Sequence, residues 1–242
     1  IFLSSILHIA RLEAAFFCDG SIQMCGRYTQ TRTGDAIAKH FRLNNIPGQK
    51  PTPTPRYNIA PSQPIGAIAQ PTTQREYRIF QWGLVPSWSK DPAIGNRMIN
   101  ARSDTVADKP SIRSAFKRRR CLIIADGFYE WKKATTKGAK KQPYYIQMAD
   151  QSLFAMAGIW ETWESGDGSY LESCTILTTE PNELMQPIHN RMPVIVDPQN
   201  YDLWLNPTIQ KAEPLQTLLR PFKADAMQAY EVSTAVNNPR NE

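Results

Sequence analysis

The sequence predicts an α+β fold: a single domain with a mainly antiparallel, curled or barrel-like β-sheet flanked by short helices. Three observations predict it. The 242 residues suffice for one good-sized core. Strand-like apolar segments outnumber helical ones. Helices and strands mix without the regular alternation that a doubly wound parallel sheet requires.

The elements follow in chain order. Residues 34–43, GDAIAKHFRL, read as a short amphipathic helix with Ile37 and Phe41 inward. Pro47, Pro51, Pro53 and Pro55 then forbid helix, and this tract reads as an extended loop wrapped on the surface. IGAIAQ and YRIFQWGLV read as strands, and SIRSAFKRRR as a short basic helix. CLIIADGFYEWKK reads as a strand, a turn at Asp126-Gly127 and a second strand. KKATTKGAKKQ is a hairpin loop; PYYIQM, LFAMAGIW, SCTILTT and MPVIV are strands, with a helical turn at NELMQPI. PQNYDLWLN and AEPLQTLLR are helices with proline near their starts, and MQAYEVS closes as a strand.

Hydrophobic residues make up 41% and charged residues 21%, an ordinary globular composition. The net charge of +6 favours an anionic partner such as nucleic acid. Cys18, Cys25, Cys121 and Cys174 are scattered with no C-x-x-C pair, which speaks against a zinc site and a disulfide framework. The expected compartment is therefore the cytoplasm, with the nucleoid as the place of action. No Walker A loop, G-x-S-x-G or H-E-x-x-H is present, so no cofactor and no metal are expected. The opening apolar run is interrupted by Arg11 and Glu13 and is shorter than the roughly 20 residues of a membrane span. Residues 1–23 are read as an extension outside the mature protein, 24–236 as the domain and 237–242 as a tail.

Several residues are candidates for chemistry. Met24-Cys25-Gly26-Arg27 resembles a translation start followed by a small residue, from which methionine is removed. Cys25 would then carry a free α-amine, with a pKa of about 7.7–8.0, and a thiol on one carbon. Such a pair adds to an aldehyde as an imine and closes to a thiazolidine, the second step being intramolecular. A lone cysteine is otherwise an ordinary core residue. Glu130 sits between Tyr129 and Trp131, whose rings desolvate a carboxyl and raise its pKa; it also fits as the outward residue of a strand. His189 lies in a loop stiffened by Pro187 and Pro193, suited either to aiming a catalytic imidazole or to a structural role. Asn100 and Arg102, two apart in extended chain, share one face and suit a sugar hydroxyl and a phosphate; the alternative is a turn cluster. Trp88 stands in a Pro-Ser-Trp-Ser-Lys loop, the setting in which tryptophan stacks single-stranded bases. Arg113, Lys117, Arg118, Arg119 and Arg120 form one charge run, and Lys132 to Lys141 supply another; they read as solvated faces or as positive potential near Glu130.

The motifs MCGRYTQ, RYNIAPSQ, WGLVPSW, INARSDTV, RRCLIIADGFYEWKK, AGIW, TILTTEPN and IHNRMPVI occur in an order that resembles the SRAP-domain family, from Met24 to about Val236. The resemblance implies an abasic-site shield; a monomer is the default expectation. It would bind single-stranded DNA and cross-link the ring-opened deoxyribose through its mature N-terminal cysteine, here Cys25. It matches Glu130, His189, Asn100, Arg102 and Arg27 to the family's functional positions, and implies an associated peptidase activity on residues ahead of the cysteine. Trp88 and Arg113 join Arg27 and Arg102 as expected DNA contacts. In the chain as written the Cys25 nitrogen is an amide, so a start at Met24 is the expectation. Two other readings stand beside this one: a cysteine peptidase using Cys25, His189 and Asn100, and a non-covalent single-strand binding module.

Overall fold

The structure, a computed structural model, describes residues 25–43, 53–134 and 140–241. The extension with Met24, most of the proline-rich tract and the tip of the Lys/Gly/Thr loop lie outside the described residues. In chain order the elements are β1 (Tyr28–Gln30), α1 (Gly34–Phe41), β2 (Arg56–Ile59), β3 (Pro64–Ala69), β4 (Glu76–Trp82), β5 (Asn100–Arg102), α2 (Arg113–Arg118), β6 (Arg120–Ala125), β7 (Gly127–Lys132), β8 (Gln142–Met148), β9 (Phe154–Glu164), β10 (Tyr170–Thr179), β11 (Met192–Pro193), β12 (Ile195–Val196), α3 (Tyr201–Leu205), α4 (Glu213–Gln216) and β13 (Met227–Glu231).

The fold is α+β with a closed barrel, as the sequence predicts. Five strands close on themselves in the order β10-β4-β3-β6-β9, because β9 pairs with β10 as well as with β6. Most pairs are antiparallel, but β10 runs parallel to β4 and to β5. A second sheet has the order β13-β8-β7-β1-β2. Every residue of β6 is buried, because its two faces feed two cores. Leu122 and Ile124 pack with α1, α2, α3 and α4. Cys121, Ile123 and Ala125 pack with Tyr28, Phe128 and Ile146 of the second sheet.

Local chemistry explains the ends of these elements. Thr33 Oγ1 caps α1 by accepting from the Ala36 N–H, Asp35 sits in its first turn and Lys39 and His40 in its last. Arg42, at φ 53°, ends it in the left-handed region. The Asp126-Gly127 step is not a hairpin: β6 and β7 belong to different sheets, and Asp126 is the corner between them. The basic run also divides. Arg120 is buried, its guanidinium donating to the carbonyls of Phe116, Lys117, Trp204 and Asn206, which ties α3 to β6. Arg119 pairs with Glu161 at 2.6 Å. A carbonyl nest satisfies a planar guanidinium, whereas water would satisfy a solvated one.

Gly83 ends β4 at φ 131°, and a Cβ there would lie 2.6 Å from the Gly95 carbonyl oxygen. Backbone oxygen cannot swing aside as a side chain can. Gly83→Ala is therefore expected to destabilise the fold by about 2–4 kcal/mol, read from urea unfolding. A change below about 0.5 kcal/mol would show that the β4 end relaxes freely.

Candidate functional site

The second sheet brings the start of the described chain against its middle. Tyr28 pairs with Phe128 and Thr29 with Gly127, and the Tyr129 N–H continues the ladder to the Arg27 carbonyl at 2.9 Å. This register carries Cys25 alongside the end of β7. Cys25 adopts φ 40°, and its N–H donates to Glu130 Oε1 at 2.7 Å across 105 residues of sequence. Strand alternation puts Phe128 and Glu130 on the buried face, both within 2% of full burial.

Two other segments complete the cluster. β5 lies parallel to β10, with Asn100 opposite Ile176 and Arg102 opposite Thr178. From there Asn100 Nδ2 reaches the Cys25 carbonyl at 3.4 Å. After β10 the chain makes a helical turn, fixed by Asn182, whose Oδ1 accepts from the Met185 N–H and whose Nδ2 donates to the Phe222 carbonyl. His189 leaves that turn, buried, with its own N–H on the Met185 carbonyl. His189 Nδ1 lies 3.3 Å from both the Arg191 N–H and the Arg191 carbonyl, which fixes the ring against its own loop.

Electrostatics follow from this burial. Burial raises the Glu130 carboxyl above the usual carboxylate range; His189, Cys25 and the Trp131 backbone pull against it. Burial also pushes the Cys25 thiol well above its ordinary value, the Glu130 charge adds to the rise, and Arg191 opposes it. The site thus favours a neutral thiol beside a carboxyl group that can exchange a proton.

The other candidates fall into distinct places. Arg102 is exposed and forked onto Asp104 at 3.1 and 2.6 Å. Trp88 is 63% exposed in its loop, which the Trp163 indole N–H holds by the Ser89 carbonyl. Arg113 opens α2 at the surface. Arg27 is not open to a phosphate: it is buried, and its guanidinium donates to Asn58 Oδ1, the Val236 carbonyl and the Asn237 carbonyl. It sits 5.8 Å over the Trp131 ring, on the side of the sheet away from Glu130. The sequence reading missed Arg191, whose guanidinium holds the Thr178 carbonyl at 2.5 Å and whose charge bears on Cys25 and Arg102. The signal was present, two residues after His189 in the same stiff loop. Among the described residues no group of three or more His, Cys, Asp and Glu gathers to hold a metal ion.

Comparison with known proteins gives one consistent result. The family model for SOS response associated peptidase (SRAP) matches residues 24–239. The chain is 45% identical to the abasic site processing protein YoqW of Bacillus subtilis over 219 residues, 90% of this chain and 96% of that protein. It is 30% identical to the abasic site processing protein YedK of Escherichia coli, covering 90% of this chain and 96% of that protein. A crystal structure of a protein from Bacteroides thetaiotaomicron superposes with a TM-score of 0.79 at 28% identity, covering 90% of this chain and 97% of that one.

The raised Glu130 pKa has a stability consequence. The folded protein disfavours the carboxylate, so stability is full below the ordinary carboxylate pKa and is lost as pH rises through the higher folded value. Glu130→Gln keeps an acceptor for the Cys25 N–H but does not ionise. Its melting temperature relative to the parent is expected to climb between about pH 4 and pH 8. A relative fall over that range would mean that the site stabilises the charged carboxylate.

Proposed function

The chain belongs to the SOS response associated peptidase (SRAP) family, and from that membership and the geometry around Cys25 we propose that it processes abasic sites in single-stranded DNA by covalent capture. The carrying observation is the 2.7 Å contact from the Cys25 nitrogen to Glu130 Oε1. With the residues ahead of Cys25 absent, that nitrogen is an α-amine, and a buried carboxylate stands where its proton must go. The amine attacks the aldehyde of the ring-opened deoxyribose, and Glu130 returns the proton to the departing hydroxyl as the imine forms and water leaves. The thiol then adds across the C=N bond, closing a thiazolidine, with its proton passing to the ring nitrogen. Both nucleophiles share one Cα, so closure carries an intramolecular advantage.

The remaining residues have supporting roles. Asn100 holds the Cys25 carbonyl and so sets the direction of the nitrogen. His189 shuttles a proton to the sugar oxygen as the ring opens. Arg102 and Arg191 supply positive charge beside Cys25 for the flanking phosphates, and exposed Trp88 offers a face to a flanking base. The peptidase reading has less support. Its nucleophile needs a lowered thiol pKa, and burial and Glu130 drive the Cys25 thiol the other way. Peptide removal ahead of Cys25 remains a separate step that would expose the amine.

Two proteins test the proposal: one beginning at Cys25 and one carrying residues 1–24. Mixed with single-stranded DNA bearing an abasic site and boiled in detergent, only the first is expected to give a retarded band. A band of equal yield from both would refute the role of the free amine. In the trimmed protein, Cys25→Ala is expected to lose the boil-stable adduct and to give a complex only when borohydride reduces the imine; a stable adduct without reductant would remove the thiol from the mechanism.

Arg102→Ala and Arg191→Ala are each expected to lower the salt slope of single-strand binding by about 0.7 and to leave the strand's sequence preference unchanged. An unchanged slope would place the phosphates elsewhere.

A further inference from the structure

A cavity lies on the reverse face of the sheet that carries Glu130. It measures about 550 Å³, within the size of small-ligand sites. The alternation of β7 creates it: Glu130 points into the core and its neighbour Tyr129 points out. Tyr129, Tyr145 and Tyr230 stand side by side on β7, β8 and β13, with ring centroids 5.1 and 5.6 Å apart and planes tilted by 52° and 56°. Tyr57 joins them from β2, and the Tyr129 hydroxyl donates to its carbonyl. Tyr57 and Tyr230 are 53% and 47% exposed, unlike the buried tyrosines of the core.

The cavity is preformed. Its floor is the Asp126 corner, where Thr29 Oγ1, the Thr31 N–H and Thr31 Oγ1 donate to the carboxylate at 2.5, 2.6 and 2.6 Å. Tyr145 reaches Thr29 Oγ1 through its hydroxyl at 2.8 Å. One wall is the segment after β13, held by Asn58 Nδ2 through the carbonyls of Val236, Asn238 and Asn241. Arg32 lines the rim, exposed, with one guanidinium nitrogen on the Gln151 carbonyl.

We propose that this cavity binds a nucleobase, stacked on the exposed tyrosines, with Arg32 facing the attached phosphate. The lining selects that class. Exposed tyrosine rings suit a planar heterocycle. A cationic guest fits less well, because Thr29 and Thr31 already meet the Asp126 carboxylate and Arg32 adds positive charge. The base can belong to a free nucleotide or to a single strand; the strand source rests on the DNA reading above.

The test uses the full chain. Binding of nucleoside 5′-monophosphates and of undamaged single-stranded oligonucleotides is measured by calorimetry for the parent, Tyr57→Ala, Tyr230→Ala and the double variant. Tyr170→Ala, which removes an exposed ring on β10, is the control. Each single variant is expected to weaken binding about tenfold, the double variant more, and the control not at all. Loss on the monophosphates assigns a free nucleotide as a sufficient ligand; loss on oligonucleotides alone assigns a base within a strand. Parent-like binding by the double variant, or no saturable binding of either probe to the parent, overturns the proposal. Boil-stable capture of abasic-site DNA at saturating concentration, read for parent and double variant both beginning at Cys25, is expected to survive in the double variant. Failure of capture in the parent would sink the covalent reading and leave the nucleotide isotherms to decide the cavity.

Discussion

The Asp126 corner governs the rest of the structure. At this residue the chain leaves the barrel strand β6 and enters β7 of the second sheet. Its carboxylate collects three donors from Thr29 and Thr31, and its own N–H donates to the Thr29 carbonyl. Those bonds lock β1 to the start of β7. A slip of one residue would leave donors unmet on a buried carboxylate and would move every β1 side chain to the opposite face. The same lock brings Cys25 to Glu130, since the residues before Tyr28 can only run alongside Tyr129 to Trp131. A polar corner at one end of a short strand therefore sets the geometry of Cys25 at the other. Gly127 is part of this constraint, because the Tyr145 hydroxyl occupies the space a Cβ would need, 2.0 Å away.

Burial then decides what the cluster can do. A carboxyl and a thiol enclosed together each resist ionisation through burial; the Glu130 charge raises the thiol further, whereas hydrogen bonding from Cys25 favours the Glu130 carboxylate. Arg191 opposes the rise at Cys25, and His189, Cys25 and the Trp131 backbone oppose it at Glu130. Such a site disfavours charge on either group. A thiolate at rest would need a dry positive neighbour in contact with the sulfur, and Arg191 instead holds the Thr178 carbonyl.

Much of this was legible in the sequence, and the rest failed for identifiable reasons. The strands from IGAIAQ to MQAYEVS and the helix at 34–41 follow from apolar spacing, because those segments bury one face or both against a core. The parallel pairing of β10 with β4 and β5 was not legible, since it depends on closure of the barrel by strands distant in sequence. Asp126-Gly127 carries hairpin chemistry yet makes a corner, because both flanking strands find better partners elsewhere. The RRR run likewise gave no sign that Arg120 would be drawn into a nest of four carbonyls. At the site, Glu130 and Asn100 reach Cys25, and His189 bears on Glu130. Arg27 does not join them, because a residue next to a strand that faces Tyr28 inward must itself face outward.

That outward turn links the two faces of the sheet. Arg27 and Trp131 flank the backbone that presents Cys25 and Glu130, and both hold the segment after β13: Arg27 through the Val236 and Asn237 carbonyls, Trp131 through Asn237 Oδ1 at 2.7 Å. The C-terminal segment is thus bonded to the neighbours of Cys25 and Glu130. Its removal would leave a buried guanidinium with lost acceptors, and Arg27 would have to reorient toward water or toward Asn58 alone. Because Tyr129 takes its ladder bond from the Arg27 carbonyl, any such movement is transmitted along β1 and β7 to the Cys25 nitrogen. The tail therefore acts as the outer brace of the site, and the precision of the 2.7 Å contact inside depends on hydrogen bonds made outside.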